Sequence, residues 1–202
     1  MTAGELPRRL RREELPADTV ELSRWLIGKT LTHERPDGIT AGRIVETEAY
    51  VPGDAASHAF NGPTRRNRSM FLPVGYAYVY LIYGVWFCLN VSSEGEGVGA
   101  AMLLRALEPL HGQALMAERR GGGRPQDLCK GPGRLCQAMG VDLGHDGLDL
   151  CGPGPLWLGE AARPAGAIGE STRIGLSKEA DRVLRFYERG NPCVSGPGRL
   201  RV

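Results

Sequence analysis

Lysine is scarce in this chain: Lys29, Lys130 and Lys178 are its only three among 25 basic residues, and arginine supplies the rest. Paired cysteine chemistry is missing too. The five cysteines (Cys88, Cys129, Cys136, Cys151, Cys193) are odd in number and irregular in spacing, with no C-x-x-C pair and no Cys/His cluster. That pattern suggests neither a disulfide framework nor a zinc site, and no metal or other cofactor is expected. No apolar run is long enough to cross a bilayer, since the longest, Val79 to Val91, contains Tyr83, Gly84 and Asn90. The first sixteen residues, MTAGELPRRLRREELP, are charged and lack an apolar segment, so no secretory signal and no membrane partner are expected. A cytoplasmic, nucleoid-associated protein is the resulting expectation. A net charge of only +2 excludes bulk charge as the means of holding a polyanion.

What the chain does have suits one folded domain. Its 202 residues are within the usual size of a single unit and can bury a core without crosslinks. Hydrophobic content of 42% excludes disorder, and 29 glycines with 14 prolines indicate many turns. A basic leader over 1–17, carrying Arg8, Arg9, Arg11 and Arg12, is read as preceding a single domain over 18–202. Asp18 with Glu21 three residues on predicts a capped helix over Thr19 to Ile27, stopped by Gly28. Lys29 to His33 and Ile39 to Tyr50 read as a hairpin around Pro36-Asp37-Gly38. Val51 to Val74 is a long connection holding Arg65, Arg66 and Arg68, and loops of that length are functional or disordered. Tyr76 to Val91 reads as two strands turning at Tyr83-Gly84, and Ala100 to Arg105 as another. Short helices follow over Gln113 to Arg120 and Gly133 to Met139, then strands near Leu156 to Leu158 and Leu184 to Arg189. The expected fold is mixed α+β: a curved, mainly antiparallel sheet flanked by short helices, with a protruding β-hairpin.

On the second strand, Glu46, Glu48 and Tyr50 share a face because side chains alternate. Two carboxylates beside an aromatic ring fit either a solvated strand face or a general base next to a stacking surface. Tyr76, Tyr78 and Tyr80 share a face on the next strand, where core packing is the ordinary reading. Tyr83 lies at the turn, where burial gains nothing and where a ring can enter an unstacked base step. Neighbouring Arg65, Arg66 and Arg68 can hold phosphates. His58 stands alone among small residues and, by itself, decides little.

Several segments occur in one order: Gly42-Arg43-Ile44-Val45-Glu46-Thr47-Glu48-Ala49-Tyr50, Ala56-Ser57-His58, Thr64 to Phe71, Tyr78 to Gly84, Phe87-Cys88-Leu89-Asn90-Val91, Leu104 to Pro109, Gly131 to Ala138 and Arg185 to Gly190. Together they closely resemble the alkyladenine (3-methyladenine, or N-methylpurine) DNA glycosylase family from about Leu22 to Ser195. The resemblance implies that Glu48 activates the water attacking C1′ of a flipped nucleotide, and that Arg105 helps hold that water. It implies that Tyr50, His58 and Tyr80 enclose the damaged base and that Asn90 disfavours normal guanine. Tyr83 matches the residue wedged into the minor groove. The implied partner is double-stranded DNA containing damaged purines, met by a monomer. No lysine falls among the matched pocket residues, so an amine-dependent lyase step is not expected and the product is an abasic site. Val85 and Trp86 stand where the family has Met and then His or Tyr. A binding module without chemistry, an RNA-directed enzyme and an unrelated small-molecule hydrolase are the competing readings.

Overall fold

The computed structural model describes residues 6–197. Three α-helices, α1 (Thr19–Trp25), α2 (Gln113–Arg120) and α3 (Pro132–Met139), accompany eight strands. In chain order these are β1 (Thr30–Arg35), β2 (Gly38–Tyr50), β3 (Ala77–Ile82), β4 (Trp86–Ser92), β5 (Ala101–His111), β6 (Leu156–Gly159), β7 (Ile168–Ser171) and β8 (Arg185–Glu188). All pairings are antiparallel, in the order β3-β4-β5-β2-β1-β6. The long β2 takes two partners along one edge, β1 over its first half and β8 at Glu46 to Glu48, with β7 beyond β8. The fold is therefore the expected α+β unit.

Helix α1 starts where Asp18 accepts from the Val20 and Glu21 amides, which satisfies two donors left open by the first turn. The helices lie on one face of the sheet. There Leu22, Leu26, Ile44, Val79, Leu89, Leu104, Met116, Leu135 and Met139 make the main core. Period-2 alternation sends Tyr78 and Tyr80 on β3, Cys88 and Asn90 on β4, and Leu103 and Arg105 on β5 to the opposite face. On β2 an irregularity at Val45 puts Glu48 there too, although it is an even number of residues from Ile44. Strand β5 runs past its expected end through Pro109 to His111. Beyond Leu103 it no longer pairs with β4, so the proline's missing N–H leaves no ladder donor unmade there.

The register of β2 and β5 slips twice beside the site. Ile44 pairs with Leu107 and Glu46 with Ala106, which leaves Val45 unpaired; Thr47 then pairs with Leu104, which leaves Arg105 unpaired. Such bulges twist a strand and re-aim a side chain. The segment ending at Ser195 covers both slips, where Cys193 and Val194 pack with Val45, Ala106 and Tyr187.

Residues 6–17, read from sequence as part of a basic leader, lie along β6; residues 1–5 and 198–202 of the expected divisions fall outside the described residues. The Leu10 amide donates to the Leu158 carbonyl, and the Glu160 amide to the Arg8 carbonyl. Leu10 is buried. Arg8 binds Glu14 and Glu160, Arg9 donates to the Gly152 and Gly154 carbonyls, and Arg12 pairs with Asp149. The burial of Leu10 and Leu15 anchors this segment, and all four of its arginines are engaged within the molecule, Arg11 by pairing with Glu14 at 3.4 Å. Among the described residues no helix is long and apolar enough to cross a membrane.

Candidate active site

Glu48 is fully buried, yet three donors converge on its carboxylate. Oε2 accepts from the Tyr50 hydroxyl at 3.1 Å and lies 3.2 Å from Arg105 Nη1; Oε1 accepts from the Ile174 amide at 2.8 Å. Burial pushes the Glu48 carboxyl above its ordinary range, while the Arg105 guanidinium, the Ile174 N–H and the Tyr50 hydroxyl oppose that rise. A carboxylate moved upward in this way is a better proton acceptor near neutral pH. Burial, and secondarily the Glu48 charge, push the Tyr50 hydroxyl far up, so it stays protonated as a donor.

Beside the carboxylate is an aromatic recess of about 140 Å³ lined by Tyr50, His58, Tyr78, Tyr80 and Asn90. It adjoins a cleft of about 560 Å³ that shares Tyr50 and Tyr80 and includes Arg105, Tyr83 and Trp86. Tyr78 and Tyr80 stack with ring centroids 5.4 Å apart. The His58 ring meets Tyr80 edge-on at 4.6 Å, and its Nδ1 is 2.8 Å from the Tyr78 hydroxyl. Burial, then the nearby Arg66 charge, lower the His58 imidazole from its ordinary value, which leaves it neutral at pH 7. Asn90 is held by donating from Nδ2 to the Tyr78 carbonyl at 3.0 Å.

The turn between β3 and β4 is tight. The Val85 amide donates to the Ile82 carbonyl, and Tyr83 and Gly84 both have positive φ, +53° and +72°. Glycine adopts that region freely, whereas a tyrosine there is uncommon and marks a constrained site. Tyr83 is 84% exposed, with Val85 at 68%. Trp86 lies against the first turn of α3, where a Cβ on Gly133 would come within 3.1 Å of the Trp86 Cβ.

The structure thus brings Tyr50, Tyr80, Arg105 and Tyr83 to one cleft, with His58 and Asn90 in its recess and Glu48 buried directly behind Tyr50 and Arg105. Arg65 and Arg66 line a neighbouring groove with Tyr80, and Arg66 donates to the Leu81 carbonyl. Arg68 is exposed at the start of the 3-10 turn Arg68–Phe71 and does not line these cavities. The long connection over 51–74 is ordered from within. Asp54 accepts from the Ala56 amide, and the buried Asn67 donates from Nδ2 to the His58 and Gly62 carbonyls. Sequence reasoning missed Ile174 and the buried Arg173–Asp54 pair behind it. The glycine-, serine- and threonine-rich text around them carries no periodic signal, and short β7 escaped notice for the same reason. It also missed Lys130, Arg120 and Arg134 at the cleft. The Gly131-Pro132-Gly133 start of α3 was the available pointer to them. Among the described residues no group of three or more His, Cys, Asp or Glu is placed to hold a metal ion.

The family model described as methylpurine-DNA glycosylase matches residues 13–192. The chain belongs to the methylpurine-DNA glycosylase family. A protein of Mesorhizobium japonicum is 55% identical over 201 residues, covering 100% of this chain and 97% of its own. One from Paraburkholderia phytofirmans is 53% identical over 96% of this chain and 91% of its own, and one from Methanoculleus marisnigri 48% identical over 88% and 94%. All three bear the name "Putative 3-methyladenine DNA glycosylase". Membership makes this glycosylase a hydrolase of N-glycosyl bonds that binds DNA and serves base excision repair.

Proposed function

We propose that the protein is a monofunctional, monomeric DNA glycosylase that flips 3-methyladenine, 7-methylguanine, hypoxanthine and ethenoadenine out of duplex DNA and hydrolyses the N-glycosidic bond, leaving an abasic site. The observation that carries this reading is the buried Glu48 carboxylate, held by Tyr50, Arg105 and Ile174, all three of which line the cleft that adjoins the aromatic recess. A base within a duplex is out of reach of such a recess, and extruding it costs a few kcal/mol. Stacking on Tyr50, His58 and Tyr80 contributes roughly 1–3 kcal/mol per base and tolerates many purines. A purine alkylated at N3 or N7 is cationic, which suits electron-rich rings and a neutral His58. Asn90, fixed by its bond to Tyr78, disfavours normal guanine by a clash with its exocyclic amino group.

With the base bound, Glu48 takes a proton from water while Arg105 holds that water toward C1′ and stabilises the carboxylate. The cationic base leaves without further protonation. Tyr83 fills the space vacated in the stack and slows the base's return, and Arg65, Arg66 and Arg68 contact phosphates. Lys130, the lysine among the cleft-lining residues, is given to the Pro192 carbonyl and to Asp127, so no amine attacks the sugar and the product is the hydrolysed sugar. A substrate in chromosomal DNA supports a cytoplasmic, nucleoid-associated protein.

Single-turnover base release from duplexes carrying one lesion each tests this reading. All four lesions are expected to be released from DNA, with undamaged purines retained and no release of hypoxanthine from duplex RNA. Retention of every lesion would overturn it. Tyr83→Ala is expected to weaken affinity for a lesion duplex about tenfold, as loss of roughly 1.4 kcal/mol of stacking requires. Titration of the variant against labelled duplex checks this.

A further inference from the structure

Glu46 precedes Glu48 by two residues on the same strand face, is fully buried, and has no part in the reaction described so far. Its carboxylate accepts four hydrogen bonds. Oε1 takes Arg185 Nε at 2.6 Å, the Ser195 hydroxyl at 2.9 Å and Arg105 Nε at 3.2 Å; Oε2 takes the Ser195 amide at 2.7 Å. Arg105 meanwhile turns Nη1 toward Glu48 at 3.2 Å. Charges therefore alternate in a line, Glu48, Arg105, Glu46, Arg185, of which Arg105 alone borders the cleft and the other three are fully buried. Arg105 is also the residue that the β5 bulge leaves without a cross-strand partner, so its side chain is placed by these carboxylates and by Ser195.

We infer that Glu46 is a positioning residue for the reaction: with Arg185 and Ser195 it holds the Arg105 guanidinium between two carboxylates and so limits how strongly Arg105 draws on Glu48. This rests on Glu48 being the base. A guanidinium given wholly to Glu48 would hold it ionised but poorly basic, whereas a shared one stabilises the carboxylate and leaves it able to take a proton. The groups facing Glu48 are Tyr50 and Glu46 from β2, Arg105 from β5, Cys88 from β4, Arg185 from β8 across the Glu48 register, and the Ile174 amide with Arg173 stacked over Tyr50. Of these, Glu46 acts on Glu48 both directly, as a like charge, and through Arg105.

The test reads the acid limb of single-turnover release of 7-methylguanine, whose cationic base needs no proton to leave. Glu46→Gln frees Arg105 for Glu48, so the limb is expected to move down by about one pH unit. The plateau rate is expected to fall at least fivefold, with lesion-duplex affinity within twofold of wild type. Ser195→Ala removes a donor from Glu46, which then draws harder on Arg105; its limb is expected to move up by about half a unit. A purely structural cluster would lower plateau rates or stability and leave the limbs superimposed on wild type. Superimposed limbs, or shifts in the same direction, overturn the inference. Should Glu46→Gln not fold, Ser195→Ala decides alone: an upward limb supports the inference and an unmoved one ends it. Glu48→Gln run alongside separates the two readings, since release that survives that change removes the base assignment itself.

Discussion

Glu48→Gln is expected to reduce base release by roughly a hundred- to ten-thousandfold, the range lost when a general base is removed. The amide keeps the size of the side chain and its oxygen can still accept from Arg105, which also retains Glu46. Lesion-duplex affinity is therefore expected to stay near wild type, since the recess is built by Tyr50, His58, Tyr80 and Asn90. Stability has its own signature. The Glu48 carboxyl is raised in the folded protein, so the stability it contributes is complete below the ordinary carboxylate value and is lost as pH rises through the raised one. Glutamine carries no such loss, but its Nε2 cannot accept the bond that the carboxylate takes from the Ile174 amide, so the variant's Tm at neutral pH is expected to fall by a few degrees. Calorimetry with single-turnover kinetics on one preparation checks both. Release at the wild-type rate would remove Glu48 from the reaction.

Asp54→Ala is expected to be the most damaging change outside the cleft. Asp54 and Arg173 are both fully buried in their side chains and paired, and Arg173 also donates to the Ala49 carbonyl and lies 4.7 Å over the Tyr50 ring. Removing the acid strands a buried guanidinium, which costs about 3–5 kcal/mol. For a domain of this size that lowers Tm by roughly 6–20 °C. The same pair joins the loop carrying His58 to the loop whose Ile174 amide binds Glu48. Release is thus expected to fall about tenfold even below the new Tm, as loss of one preorganised donor would produce. Thermal unfolding followed by kinetics at a permissive temperature separates the effects. An unchanged Tm would contradict the burial described here.

The strands and helices were legible wherever local pattern matched tertiary demand. Asp18 capped its helix, Pro36-Asp37 turned its hairpin, and the tyrosine-rich run folded back at Tyr83-Gly84. The alternation that put Glu46, Glu48 and Tyr50 on one face is the geometry found, with the Tyr50 hydroxyl on the Glu48 carboxylate. What stayed hidden depends on contacts distant in sequence. The slip at Arg105 leaves no mark in β5 because it arises from the pairing with β2, not from any glycine or proline. Ile174 acts through its backbone N–H, which every residue but proline possesses. The arginines near the start look free in sequence because Glu160, Asp149 and the Gly152 carbonyl come from more than a hundred positions away.

Because its three donors come from β2, from β5 and from the loop before Leu176, the Glu48 carboxylate is fixed before any nucleotide arrives. On the proposed chemistry it treats every occupant of the recess alike. Rates for different lesions should then sort by the intrinsic lability of each sugar–base bond, with labile cations departing fast and neutral purines slowly, and little of that spread is owed to rearrangement of the protein.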